Sequence, residues 1–207
     1  IWTDRVLMLL AADVLSRHPG TDILYDVKSS HLLAAEIRRS GGRPVMGRSG
    51  HSPLKAKLAE TGALLAGEWS GHIMFRERWY GFDDALSAGA RLVEVLALDA
   101  RTTAEVFAGL PEALSTPELI LPMAEGEPER VMAAVSALED RLQGVTAHRI
   151  DGLRVEQERG WGLVRASNTR PALVFRFEAE NEAELERIES LFRKIMRRAA
   201  PELALPF

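Results

Sequence analysis

The sequence predicts two domains of different class. Residues 1–108 should form an α/β domain, a mixed and mostly parallel sheet with helices on both faces; residues 118–207 should form an α+β domain, a small antiparallel sheet backed by helices. Three observations predict this. Short apolar strands alternate with helical stretches through the first half, the pattern of a parallel sheet whose strands are joined by helices. Gly109, Pro111, Pro117, Pro122, Gly126 and Pro128 crowd the span between the halves, as at a domain boundary, and residues 109–117 are read as the hinge. Beyond it, four strand-like segments follow one another between two helices.

In chain order, residues 4–18 carry a broad apolar face with Val6, Leu9, Leu10 and Val14, and His18-Pro19-Gly20 stops that helix. Ile23 to Val27 reads as a strand. Ser30 is an N-cap for a helix through about Arg39, which Gly41-Gly42 ends. Arg43 to Met46 is a short strand. Pro53 suits the first turn of a helix to Glu60, with Ser52 as its expected cap. Ala63 to Ala66 and Ile73 to Phe75 are further short strands. Asp83 or Asp84 opens a helix whose apolar side holds Leu86, Ala90, Val93 and Leu96. In the second half a helix spans about Pro128 to Leu142, and strands are expected near 145–150, 152–157, 161–166 and 172–179. In the last of these, Leu173, Phe175 and Phe177 alternate with Val174, Arg176 and Glu178. A final helix, Glu182 to Arg198, buries Leu185, Ile188, Leu191, Phe192, Ile195 and Met196.

Composition narrows the function classes. The chain has 207 residues, 46% hydrophobic and 27% charged, as a globular protein does. A formal net charge of -4 does not advertise nucleic acid, and no apolar run is long enough to span a bilayer. Cysteine is absent, which excludes disulfides and thiolate chemistry and fits a cytoplasmic location. The start at Ile1, without Met or a signal-peptide pattern, reads as a cut at a domain edge.

Ligands of parallel sheets sit beyond the strand ends, so the polar loops after Val27, Met46 and Ala66 are the first candidates. Asp26-Val27-Lys28 places Lys28 at a strand end, either to meet a phosphate or sugar oxygen or simply to face water. Ser49-Gly50-His51-Ser52 puts His51 before a helix start, where backbone N–H groups attract anions. In Gly67-Glu68-Trp69-Ser70-Gly71-His72, an extended backbone would point Glu68 and Ser70 to one side, where a carboxylate and a hydroxyl can read sugar hydroxyls. His72 can move a proton near neutral pH. A glycine-rich turn with a solvated Glu is the bland alternative. The loop Arg165-Ala166-Ser167-Asn168-Thr169-Arg170-Pro171 packs a guanidinium fork, two hydroxyls and an amide between two strands, a donor set that suits phosphate. A polar turn bonded to its own backbone is the alternative there. The stretch Glu77 to Phe82 is a lid or a packed aromatic loop. His18, His31 and His148 read as incidental, with no partner pattern for His148, and Asp83-Asp84 alone is a weak signal.

Taken together, these segments and Gly160-Trp161-Gly162-Leu163-Val164-Arg165-Ala166-Ser167-Asn168-Thr169 come in the order of the α-D-phosphohexomutase family and resemble its bacterial phosphomannomutase/phosphoglucomutase branch. The resemblance covers nearly the whole chain and implies the family's third and fourth domains. It implies that Glu68 and Ser70 hold the sugar's 3- and 4-hydroxyls, shared by glucose and mannose, so that both epimers are accepted. Lys28 and His51 would contact the sugar phosphate, His72 would shuttle a proton, and Arg165, Ser167, Asn168 and Thr169 would bind the phosphate not being transferred. The family's Thr-x-Ser-His-Asn-Pro phosphoserine loop and Asp-Gly-Asp-Gly-Asp magnesium loop have no counterpart in this sequence, and Ser52 is not the phosphoserine. The implied partners are hexose phosphates and the missing N-terminal domains. Magnesium is implied for the intact parent with no ligands in this chain, which alone should be inactive. A non-catalytic module that binds sugar phosphates is the competing class. Trp69 within the sugar loop and Arg170 before Pro171 depart from the usual pattern.

Overall fold

The computed structural model describes residues 1–138 and 144–207. They divide into two compact units, Ile1–Glu112 and Ala113–Phe207. Among the described residues no helix is long and apolar enough to cross a membrane.

The first unit runs α1 (Thr3–Arg17), β1 (Asp22–Asp26), α2 (His31–Arg39), β2 (Arg43–Gly47), α3 (His51–Thr61), β3 (Leu65–Gly67), β4 (Ile73–Phe75), α4 (Ala85–Leu98) and α5 (Thr103–Ala108). Its sheet has the order β2-β1-β3-β4. β1 lies parallel to β2 and β3, and β3 turns back antiparallel into β4. Strand alternation sorts the core onto two faces. Ile23, Tyr25, Leu65, Ile73 and Phe75 meet Leu7, Leu10, Val14 and Leu15 of α1 and Leu33 and Ile37 of α2. Leu24, Ala66 and Met74 meet Leu54 and Leu58 of α3 on the other face. Each fully buried Leu, Ile, Val or Met among these contributes about 1.5–3 kcal/mol. α1 lies so close on β3 that a Cβ at Gly67 would fall 2.7 Å from the Leu7 side chain, so any larger residue there would displace Leu7. Ser30 caps α2 by accepting from Leu32 N.

Two sequence expectations are corrected here. The predicted apolar side of α4 is largely exposed: Leu86 is 88% and Val93 66% accessible. The buried side is Ala88 and Arg91, with Leu92 and Val95 packed beside them. The helix turns this way because Arg91 reaches the buried carboxylate of Glu77 at 2.6 Å, an attraction that hydrophobic periodicity does not record. Trp79, Tyr80 and Phe82 do not pack into the core either. They are exposed and cluster on one another, Tyr80 stacked on Phe82 and Trp79 edge-on to Tyr80, at centroid distances of 5.1–6.3 Å.

The second unit runs β5 (Leu114–Ser115), β6 (Leu119–Pro122), α6 (Glu127–Ser136), β7 (Thr146–His148), β8 (Leu153–Gln157), β9 (Gly160–Ala166), β10 (Ala172–Ala179) and α7 (Glu182–Ala199). The helix predicted to reach Leu142 ends earlier, at Ser136 with Ala137 as its C-cap, and residues 139–142 of that expectation lie outside the described residues. Every strand pairing is antiparallel, in the order β5-β10-β9-β8-β7 with β6 also on β10. Val155, Val164, Leu173, Phe175 and Phe177 pack against Val131 and Val135 of α6 and Ile188, Phe192, Ile195 and Met196 of α7. The alternating charged positions of β10 are buried too. Arg154 and Arg176 lie over the Trp161 ring at 3.8 and 5.3 Å, and Trp161 Nε1 donates to Glu178 at 2.8 Å. β5 and β6 were not expected. Pro111, Pro117 and Pro122 hid them, since proline removes a ladder donor and favours edge or end positions. His148 has a cross-strand partner after all, Glu156, at 3.4 Å.

Candidate functional site

In the first unit the loops after β1, β2 and β3 leave the sheet at the same end, because these strands are parallel. Asp26, the last residue of β1, joins all three. Fully buried, it accepts hydrogen bonds from Ser29 Oγ (2.7 Å) on its own loop, Ser49 Oγ (3.1 Å) on the second and the Trp69 backbone N–H (3.0 Å) on the third. Hydrogen bonds to a charged group contribute roughly 1.5–3 kcal/mol each, so one carboxylate can hold three loops in register.

Glu68 is a second buried carboxylate beside it. Its Oε2 accepts from the Gly50 N–H at 2.8 Å and from Ser49 and Ser70 hydroxyls at 3.4 Å. Its Oε1 has no hydrogen-bond partner among the described residues. Gly50 has φ of 122°, open to glycine, and this lets the backbone turn its N–H to the carboxylate at the head of α3. Glu68 and Ser70 do share a side, but through a turn rather than an extended segment: Gly71 N bonds Glu68 O and Glu68 N bonds His72 O. The hairpin from β3 to β4 closes in five residues, too few for extended backbone.

Around this centre, Lys28 Nζ lies 5.5 Å from the Trp69 ring centre, and Trp69 stacks on Trp2 at 5.0 Å. His51 is exposed as the first residue of α3, its ring 5.4 Å from that of His72. Ser52 is not the cap of α3. The N-cap is Gly50, and Ser52 Oγ meets His51 Nδ1 at 3.4 Å. His72 Nδ1 meets Asp83 Oδ2 at 2.5 Å. Asp84 does the capping of α4, accepting from Ser87 N at 3.0 Å.

The second unit holds a separate polar loop between β9 and β10. Ser167, Asn168, Thr169, Arg170 and Pro171 line a cavity of about 300 Å³ with Glu125, Gly126 and Glu129. Gly126 is the N-cap of α6, so the positive end of that helix faces the cavity. Glu125 and Glu129 set negative charge against it. Ser167 Oγ lies 3.4 Å from both Thr169 Oγ1 and Thr169 N, as in a self-bonded polar turn. Arg165 is not in the cavity lining. It is buried on β9, with Nε donating to Asp151 at 2.9 Å and Nη2 without a hydrogen-bond partner among the described residues.

Comparison with known families assigns both units. Residues 2–114 match the family described as phosphoglucomutase/phosphomannomutase, alpha/beta/alpha domain III, and residues 120–195 match the phosphoglucomutase/phosphomannomutase C-terminal domain. The chain belongs to the phosphoglucomutase/phosphomannomutase family. It is 49% identical over 209 aligned residues to a phosphomannomutase/phosphoglucomutase of Pseudomonas aeruginosa, covering all of this chain and 44% of that protein. A phosphoglucomutase of Neisseria gonorrhoeae is 47% identical, with 100% and 45% covered. A crystal structure of a phosphoglucomutase/phosphomannomutase family protein from Burkholderia thailandensis superimposes with TM-score 0.92 at 50% identity, covering 100% of this chain and 44% of that one. The chain thus spans less than half the length of the relatives it matches.

Of the residues singled out in this family member's sequence, Glu68, Ser70, His51, His72 and Lys28 gather around one loop cluster, and Ser167, Asn168 and Thr169 line one cavity. Sequence reasoning missed Asp26, Ser49 and Asp83 as members of the first cluster. Asp26 stood in the quoted Asp26-Val27-Lys28 segment, yet only its position at the end of a parallel strand, facing two neighbouring loops, signals its role.

Proposed function

We propose that this chain is the sugar-reading and phosphate-gripping part of a phosphohexomutase, an isomerase that interconverts hexose 1-phosphate and hexose 6-phosphate of the glucose and mannose series. The observation that carries this reading is Glu68. A buried carboxylate with one oxygen tied to Gly50 N–H and the other left without a partner is an acceptor awaiting a donor, and a sugar hydroxyl is such a donor. Ser70, exposed at 3.4 Å from the tied oxygen, adds a second polar group at the rim. Lys28 and His51 supply positive or hydrogen-bonding groups for the sugar phosphate, and Ser167, Asn168, Thr169 and Arg165 for the phosphate that is not transferred. His72 takes and returns the proton of the reacting hydroxyl. The family's phosphoserine loop would donate the phosphoryl group, forming a bisphosphorylated sugar that reorients and returns its other phosphate. That loop has no counterpart in these residues. The magnesium implied for the intact enzyme finds no cluster of three or more His, Asp or Glu among the described residues to hold it.

The test is Glu68→Ala in the intact enzyme, assayed with glucose 1-phosphate and mannose 1-phosphate. Leaving a hydroxyl unpaired costs about 1–3 kcal/mol, so kcat/KM should fall by a similar factor for both sugars. Loss with one epimer alone would contradict reading of the shared 3- and 4-hydroxyls.

A further inference from the structure

His72 closes the sugar loop immediately before β4, and Asp83 follows the excursion after that strand. An isolated antiparallel bridge between Met74 and Asp83 returns the chain alongside β4 and brings the two side chains together. An ionised carboxylate can only accept hydrogen bonds, so a ring nitrogen that meets one carries the hydrogen. Nδ1 of His72 is then the N–H, and Nε2 keeps the lone pair. The neighbouring Asp84 is engaged at the head of α4, which leaves Asp83 as the carboxylate turned to the imidazole.

We propose that Asp83 is a positioning residue for His72, holding it in the tautomer whose Nε2 accepts the proton of the sugar hydroxyl. The inference rests on the reading of His72 as the proton shuttle. In the step concerned, the O–H bond of the sugar breaks and its proton goes to Nε2. The sugar oxygen bonds to phosphorus, and the bond from phosphorus to the phosphoserine oxygen breaks, its electron pair leaving on that oxygen. The imidazolium formed faces the Asp83 carboxylate, which stabilises it where its charge develops. In the reverse direction Nε2 returns the proton. A carboxylate that only stapled the loop would need no particular ring nitrogen. The observed contact is to Nδ1, the nitrogen whose occupation leaves Nε2 bare.

Two measurements on Asp83→Asn test this. Nitrogen-15 spectra of the imidazole in this chain should show neutral His72 with the hydrogen on Nδ1, and a mixture of tautomers in the variant. In the intact enzyme Asp83→Asn should lower kcat roughly tenfold or more while KM stays within about twofold. His72→Ala should lose about 100- to 10,000-fold, the range of a general acid–base group. If His72→Ala is crippled but Asp83→Asn keeps the wild-type tautomer and kcat, the positioning role is overturned and the shuttle stands. If Asp83→Asn raises KM alone, the contact is a staple and the proposal falls. If His72→Ala turns over at the wild-type rate, the shuttle reading falls and takes the proposal with it.

Discussion

Arg165 shows how much of a side chain's availability is decided by one neighbour. Its Nε is tied to Asp151 at 2.9 Å, while its buried Nη2 lacks a hydrogen-bond partner among the described residues. A buried donor without a partner costs about 1–3 kcal/mol, and an anion oxygen would relieve that cost. We therefore predict that inorganic phosphate shifts the backbone amides of residues 165–170 in NMR spectra of this chain, and that Arg165→Ala abolishes most of the shift. Arg165→Lys should restore only part of it, because an ammonium lacks the planar fork. Identical shifts in Arg165→Ala would leave the loop a polar turn. Glu129→Gln tests the adjoining cavity, which Ser167, Asn168 and Thr169 line and Arg165 does not. Removing that carboxylate from the lining should strengthen phosphate binding, since like charge at the helix head opposes the anion. Residues such as Glu68, Ser70 and Thr169 were legible in the sequence because their chemistry is concentrated in short loops. Asp26, Ser49 and Asp83 were not, because their roles come from partners 11 to 43 residues away that only the parallel sheet and the return past β4 bring near.

At the scale of elements, α1, α4 and the segment after β4 are joined by ions as well as by apolar packing. Glu77 receives Arg91 Nη1 at 2.6 Å and Arg17 Nε at 3.0 Å, and Arg91 Nη2 reaches Asp13 at 3.0 Å. Burial by itself would raise the Glu77 carboxyl, but the hydrogen bonds from Arg91 and Arg17 outweigh it and hold it below its ordinary 4.5. The hydrogen bond from Arg17, opposed by burial and reinforced by Arg91, holds Asp13 below 3.8. Both carboxylates are depressed on folding. Their stabilisation is therefore fully present above about pH 4.5 and is lost as pH falls through the depressed values. Urea unfolding should show the first unit weakening more steeply below pH 4.5 than an Arg91→Met, Glu77→Gln double variant does. Arg91→Met alone, which leaves the buried Glu77 carboxylate to Arg17 and Arg78, should destabilise by about 1–3 kcal/mol, and the double variant should recover part of that. A double variant as unstable as Arg91→Met would mean that the arginine acts through packing on Phe75, whose ring it covers at 4.7 Å. This network also explains which elements the sequence disclosed. Helices and strands with ordinary apolar periodicity were readable, among them α1, α2, β10 and α7. The facing of α4 was not, because an arginine on its buried side breaks the apolar stripe. β5 and β6 were hidden because their prolines look like linker.

At the scale of the molecule, each unit has its own core: Leu7, Leu10, Ile23 and Phe75 anchor the first, and Val131, Leu173, Phe177 and Phe192 the second. Cores of this kind, each with a sheet closed by its own helices, can melt separately, because the backbone pairing of one does not depend on the other. The composition predicts a hinge at residues 109–117. Leu114 and Ser115 pair with β10, however, and pairing protects backbone from proteases. We propose that the accessible part of the hinge narrows to residues 109–113. Glu112 lies there with its side chain 74% exposed, in a 3.6 Å ion pair to Arg5 of the kind that contributes little at a surface. A glutamate-specific protease at low dose should therefore cut after Glu112 before it cuts within either core. The products should be two folded fragments of 112 and 95 residues, the sizes of the two units. Each should keep a cooperative thermal transition and dispersed amide signals when separated. The fragment from Ala113 should still respond to phosphate, since its loop and cavity lie wholly within it. First cuts inside β1 or β10, or collapse of both fragments after a single cut at Glu112, would mean one shared core in place of two and would remove the basis for a hinge.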